Sequence, residues 1–367
     1  MKAGTGLAQG RLADPALAEQ AVHAAMTRAE LEHPEALLLY LSADFAHDPQ
    51  PAISAAARSC GCMQVVGCTA AGVFTEEDWI LDAPAAAALV LGDGAGLRMA
   101  KRYDEPALDA RQVLTLAAPN ALDMQWINAG AQRFGGVSGD ATGQGPYSVW
   151  SGSRVQPSGR CELELTGVVS KIGVSQGVRP LSRPVPIGSV AGHDIRTLGS
   201  MPALANLVRD LPLSLRAPER IPTHLLMAGI PYGEQENALA EGRFHLLPVV
   251  AVNSSDQSVT VAGQLQPGLD LFWALRQPKS AEQEMNAMLS RLADTRPEAP
   301  AFGLMFPCMG RGPYFYGGVD KDIQALARRF PAMPFIGFYG NGEIAHLDGA
   351  NRLIQYSVVL ALGFADV

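Results

Sequence analysis

Two glycine-rich segments in the last quarter of this 367-residue chain carry opposite charges: Pro307-Cys308-Met309-Gly310-Arg311-Gly312 and Phe338-Tyr339-Gly340-Asn341-Gly342-Glu343. A guanidinium can grip a carboxylate through two parallel hydrogen bonds, and flanking glycines leave backbone N–H groups free to face an anion. Glu343 can receive an ammonium group, so a pocket holding both charges suits a zwitterion such as an amino acid. The same charges could instead pair, Arg311 with Glu343, and close the loop without a ligand. A second chemistry is open to Cys308. With His346 after the other segment, a thiolate–imidazole pair could make a nucleophile, although no third residue is evident to orient the histidine.

Each segment must be positioned by what precedes it. Ala301–Phe306 is an apolar run, followed by a helix-like stretch and a short strand that ends in the second loop. The same order occurs earlier, where Ala36–Leu41 (ALLLYL) precedes residues 53–74. Those residues align without a gap on 323–344, and seven of the 22 pairs are identical: Ile53/Ile323, Ala55/Ala325, Ala57/Ala327, Arg58/Arg328, Met63/Met333, Gly67/Gly337 and Gly72/Gly342. The reading is one β-α-β unit used twice. In a right-handed unit the two strands are parallel neighbours, so their carboxyl ends share one edge, where small molecules bind. That edge gathers Cys308, Gly310, Arg311, Gly312, Phe338, Tyr339, Asn341, Gly342 and Glu343. Gly67, Cys68 and Thr69 stand at the matching loop of the first copy. Gly135 and Gly136, within the glycine-dense stretch 130–145, form a weaker third echo, and loops 67–72 and 134–139 would complete the site.

The remaining elements alternate but include hairpins, which makes the fold class α/β with mixed sheets and α+β character, built as two related halves. Helices are expected over Ala13–Leu31, Pro51–Cys60, Ala107–Leu116, Pro202–Leu211 and Ser280–Ala293. Strands are expected at Val65–Val66, Ala85–Leu91, Leu97–Lys101, Asp123–Asn128, Tyr147–Trp150, Glu162–Val169, Ile195–Leu198, Leu225–Gly229, His245–Asn253, Ser258–Gly263 and Asn351–Phe364. Gly92-Asp93-Gly94 reads as a hairpin turn, and residues 173–188, with four prolines, as loop. Pro212, Pro218 and Pro222 mark an internal boundary.

Bulk properties exclude several classes. At 48% hydrophobic and 17% charged residues, with a formal charge of −8 and no Lys/Arg-rich run, the chain suits neither nucleic acid nor an anionic membrane surface. No apolar core follows Lys2, and the most apolar stretches, Ala83–Gly92 and Ser357–Gly363, fall short of the about 20 residues of a membrane span. Five cysteines in this length do not make a disulfide framework. A cytoplasmic location is the expectation.

Cofactor signals are weak. Histidines 23, 33, 47, 193, 224, 245 and 346 include no pair three or four apart, and Cys60-Gly61-Cys62 is not a zinc spacing. No metal site is expected. Covalent haem would need C-x-x-C-H, which is absent. A single axial histidine needs no motif, so haem would fall to His193 or His346. Neither the G-x-G-x-x-G order nor a Lys-Ser/Thr after the glycines is present, so nucleotide fingerprints are not met; these glycines suit tight turns and close packing.

PCMGRG, a helix and then GFYGNGEIA resemble the C-terminal half of the FIST family, sensory proteins named for F-box and intracellular signal transduction. VVGCTAAGVF at 65–74, FGG at 134–136, SQG at 175–177 and IRTLGSMPAL at 195–204 extend the resemblance over nearly the whole chain. It implies a FIST N-terminal-like domain over 30–211 and a C-terminal-like domain over 222–364. It also implies a non-enzymatic, small-molecule-binding sensory function, with an amino acid or small carboxylate as ligand and no resident cofactor. Some members resemble haem-binding nitric-oxide sensors acting on histidine kinases, the alternative reading here. No kinase, methyl-accepting or cyclase domain is attached, so a separate signalling partner is expected. Met309, the aromatic cluster Tyr314-Phe315-Tyr316 and His193 depart from the family pattern.

Overall fold

The apolar runs before the glycine loops form parallel strand pairs bridged by a helix, and this arrangement occurs three times. The computed structural model describes residues 1–100, 111–216 and 221–366, in two units: Met1–Val174 with Asn286–Val367, and Ser175–Met285. The first module contains β1 (Lys2–Gln9), α1 (Pro15–Ala29), β2 (Ala36–Ser42), α2 (Gln50–Cys60), β3 (Val65–Ala70), β4 (Gly72–Thr75), β5 (Trp79–Leu81) and β6 (Ala85–Gly92). The second contains β7 (Gly96–Met99), β8 (Gln112–Ala117), α3 (Met124–Asn128), β9 (Gln132–Val137), β10 (Val149–Ser151), β11 (Arg154–Val155) and β12 (Arg160–Thr166).

The third module opens with β13 (Val168–Ser175) and is then interrupted. The interruption holds β14 (Val178–Pro180), β15 (Val185–Ala191), β16 (Asp194–Leu198), β17 (Met201–Pro202), α4 (Ala203–Asp210), β18 (Leu226–Pro231), α5 (Gln235–Ala238), β19 (Phe244–Asn253), β20 (Ser258–Val261) and β21 (Asp270–Arg276). After α6 (Pro278–Ala293) the module resumes with β22 (Phe302–Pro307), α7 (Lys321–Arg329), β23 (Phe335–Tyr339), β24 (Gly342–Leu347), β25 (Ala350–Ile354) and β26 (Val358–Ala365).

Each module centres one six-stranded sheet on a parallel pair: β2–β3, β8–β9 or β22–β23. Its own last strand, β6, β12 or β26, lies antiparallel on one side of that pair. The other side is filled by a different module. Hairpin β10–β11 joins β3, β24–β25 joins β9, and β4–β5 joins β23. The exchange is cyclic, so every sheet is finished by a hairpin from another module.

Strands buried on both faces read as continuous apolar runs, which is why ALLLYL carries no polar alternation. Along β2, Leu37, Leu39 and Leu41 pack outward on Ala21, Val22, Ala52 and Ile53 of α1 and α2. Leu38 and Tyr40 face inward, onto a core shared with Leu114, Leu116 and Phe134 of the second sheet and Phe306, Ile336 and Phe338 of the third. In the second unit the antiparallel path β21-β15-β16-β20-β19-β18 returns to β21 and closes a ring. Its core joins Leu204 and Leu207 of α4 to Ile195, Val259 and Trp273, with the Trp273 indole donating to Asn206 Oδ1 at 3.0 Å.

Several expectations need correction. Asp123–Asn128 is not a strand: Asp123 accepts from Gln125 N and caps helix α3. The helix expected over Ala107–Leu116 starts outside the described residues, and the part within them is β8. Gly92–Gly94 makes no hairpin, because β6 pairs with β1 and β2 whereas β7 pairs with β12. Asp93 and Gly94, at φ of 58° and 88°, instead carry the chain between sheets; Lys101 lies outside the described residues. Residues 173–188 contribute to three strands despite their prolines, and Asn351–Phe364 divides into β25 and β26. Of the boundary prolines, Pro212 and Pro222 fall inside the second unit and Pro218 lies outside the described residues. Among the described residues no helix is long and apolar enough to cross a membrane.

Candidate functional site

Three glycines bring the loops together. Gly67, Gly135 and Gly337 each sit in the second strand of a parallel pair, opposite Leu39, Thr115 and Met305. Two residues beyond each glycine, a carbonyl accepts a hydrogen bond from another module. Ser138 Oγ donates to Thr69 O at 2.5 Å, Asn341 N to Val137 O at 3.0 Å, and Ala71 N to Tyr339 O at 3.2 Å. The three strand tips thus form a closed ring. All the sequence-selected loops converge on it, including the third echo at Gly135-Gly136.

Convergence does not make every selected residue a lining residue. Phe338 packs edge-on against Tyr40 and Phe306, with ring centroids 4.8 and 5.4 Å apart, inside the shared core. Cys68 lies in the same core, where burial raises its thiol pKa and the neighbouring Cys161 raises it further. Gly136 stands against the Phe338 ring, and Gly312 against that of Tyr339. Met309, Gly310 and Asn341 are the parts of the two loops that remain half-exposed.

The charges do meet, with a partner the sequence did not suggest. The chain makes one tight turn over Met309–Arg311, and Arg311 turns back onto α7. Its Nε and Nη2 donate to Asp322 Oδ2 and Oδ1 at 2.9 and 3.2 Å. The expected partner Glu343 is replaced by Asp322 in this ion pair. Asp320 caps α7 by accepting from Asp322 N and Ile323 N, each at 2.9 Å, and its second oxygen accepts from Tyr339 OH at 2.6 Å. Glu343 Oε2 accepts from Ser357 N at 3.2 Å and from Ser357 Oγ, whereas Glu343 Oε1 has no hydrogen-bond partner.

Asp322 therefore pairs with the guanidinium, Glu343 feels its charge and Asp320 lies beside Asp322, none of the four more than 1% exposed. Burial pushes Glu343 up to about 8, against the Ser357 bonds, the Cys308 thiol and the Arg311 charge, which lower it. Asp320 rises to about 6 through burial and the charge of Asp322, against bonds from Tyr339 and the helix N–H groups. Tyr339 is raised by burial and by Asp320.

Both carboxyls titrate higher folded than unfolded, so folding takes up protons. Their contribution is most favourable below the unfolded values and is lost as pH rises, through about 6 for Asp320 and about 8 for Glu343. Glu343→Gln should remove the upper part of that slope. Urea melts of the two proteins should converge near pH 5, and the variant should be the more stable at pH 8 by a few kcal/mol. Parallel stability curves would show that Glu343 is not the titrating group.

The remaining candidates are dispersed. Cys308 neighbours Glu343 in the cluster. His346 lies three residues further along β24, about 10 Å away and on the opposite face by strand alternation. Its Nδ1 is 3.0 Å from Asn351 Oδ1. The thiolate–imidazole pairing is thus not formed. His193 is exposed in the second unit, with Nδ1 2.9 Å from Gly263 O, and His346 belongs to the first. Among the described residues no three His, Cys, Asp or Glu side chains are grouped to hold a metal ion.

Comparison with known proteins finds two family domains. Residues 35–201 match the FIST N domain and residues 203–346 the FIST C domain. An uncharacterized protein of Mycobacterium tuberculosis is 26% identical over 389 residues, with all of both chains covered. Another, from Mycobacterium bovis, is 27% identical over 324 residues, covering 83% of each chain. F-box only protein 22 of Homo sapiens is 38% identical over 90 residues, 23% of this chain and 21% of that protein. With both domains present in order, the chain belongs to the FIST family, whose domains are sensory modules of signal transduction.

Proposed function

We propose that this chain senses an amino acid or small carboxylate at the Arg311–Asp322–Glu343 cluster and passes the signal to a separate protein. The observation that carries the reading is Glu343 Oε1, a buried carboxyl oxygen without a hydrogen-bond partner, on a group that burial keeps protonated up to about pH 8 and that would give up its proton as a cation binds. An ammonium group answers that oxygen. The ligand's carboxylate then competes with Asp322 for Arg311, a like-for-like exchange of one bidentate pair for another. Asp322 belongs to the first turn of α7, so its release loosens the capped start of that helix.

The cluster is closed, and entry requires the turn at 309–312 to lift from Gly340, to which Met309 N is bonded at 2.8 Å. Ligand affinity is reduced by the cost of that opening. Thermal-shift measurements with amino acids and simple carboxylates test the reading. A ligand at a hundredfold excess over its dissociation constant adds about 2.7 kcal/mol. Glu343→Gln should stay folded and lose its response to amino acids. An unchanged response in that variant, or none from the parent protein to any of these compounds, would overturn the assignment.

A further inference from the structure

A separate groove lies between α2 and the β10–β11 hairpin, both in the first unit. It encloses about 670 Å³, within the range of small-molecule sites. Arg58 and Arg154 line it, and no carboxylate does. Among the described residues neither guanidinium has a hydrogen-bond or ion-pair partner. Arg58 stands in the last turn of α2, where a cation favours the helix terminus. That accounts for one arginine but not for a second, from another module, lining the same groove in a chain of net charge −8.

The walls are fixed in advance. Gln50 joins helix to hairpin, its Nε2 donating to Ser153 O at 2.9 Å and its Oε1 accepting from Val155 N at 3.2 Å. Ala57, Met63 and Val155 supply apolar lining, and the Met63 side chain stands 67% exposed.

We infer that this groove binds a small organic dianion, a phosphate monoester with an apolar body. Its oxygens meet the two guanidiniums, and its body lies along Met63 and Val155. This site is distinct from the strand-tip cluster and does not depend on it.

Phenyl phosphate is the probe, titrated into the full chain carrying 13C-methyl methionine, with Met63→Leu to identify the Met63 resonance. The Met63 methyl should shift to saturation with phenyl phosphate, less tightly with inorganic phosphate, and not with phenol. The double substitution Arg58→Ala with Arg154→Ala should weaken phenyl phosphate by at least about tenfold, with the remaining methionine signals unchanged. Glu343→Gln should leave this titration as it is, even where it abolishes an amino-acid response. An unmoved Met63 signal, an equal response to phenol, or undiminished binding by the double variant would each overturn the assignment.

Discussion

Alanine at Gly67, Gly135 or Gly337 should prevent the first unit from folding. A β-carbon there would stand 1.7 Å from Leu39 O, 2.0 Å from Thr115 O or 2.1 Å from Met305 O. Real β-carbons essentially never come within 3.0 Å of such a neighbour. The atom in the way is backbone of the paired parallel strand, so no rotamer change relieves the overlap. At Gly337 the Phe74 ring adds a second obstacle at 2.2 Å. The pair must part, and its strand tip then leaves the ring of carbonyls. Each substitution should cost more than about 4 kcal/mol, in the range reserved for core disruption. Gly94→Ala is the control: nothing lies within 4 Å of its β-carbon, and only the positive φ is penalised, by about 1–2 kcal/mol. Circular dichroism and urea unfolding distinguish the two cases. A folded Gly67→Ala protein of parental stability would show that the close strand approach is dispensable.

Arg311→Met should be nearly as damaging, for an electrostatic reason. Removing one partner of a buried ion pair strands the other and costs about 3–5 kcal/mol. Here Asp322 would be left beside Asp320 without its guanidinium partner. The single variant should therefore recover part of its stability at low pH, where protonation relieves the repulsion. The sign follows from the carboxyls being raised further in the folded state, so stability falls as pH increases. Adding Asp322→Leu removes the stranded charge, and an apolar pair of similar volume often replaces a buried ion pair at little cost. Urea melts at pH 5 and pH 8 provide the check. If the single and double variants are equally unstable at pH 8, the uncompensated carboxylate is not the cause.

The β-α-β units at 36–70 and 302–339 are legible in the sequence because each strand is buried on both faces and each helix carries its own apolar stripe. The third is not, for a local reason. Its helix α3 is five residues long, and Met124-Gln125-Trp126-Ile127-Asn128 is too short to show a helical period. Gly135-Gly136 is the only trace it leaves. Hairpin exchange leaves no trace either, since pairing of β4 with β23 or β10 with β3 depends on residues far apart in the chain. Gly92-Asp93-Gly94 illustrates the consequence: good turn residues between two strands that belong to different sheets.

At the site, the meeting of the loops follows from topology, but the partner of Arg311 does not. Asp320 and Asp322 ahead of Ile323 and Leu326 form a readable helix-start signal, an acidic cap before an apolar face. What connects Asp322 to Arg311 is the tight turn over Met309–Arg311, which is set by Met309 bonding to Gly340. Local sequence carries no record of that distant contact.

The cyclic sharing of hairpins also constrains how the protein can be made or cut. Until β24 and β25 emerge from the ribosome, the outer margin of β9 has nothing to bond with. Until β23 exists, β4 is equally bare. A fragment ending near residue 201, at the limit of the FIST N match, would carry both open margins at once. Exposed strand margins recruit other chains, so such a piece is a candidate for self-association rather than a freestanding domain. Splitting this protein at its family boundary therefore separates strands that complete one another.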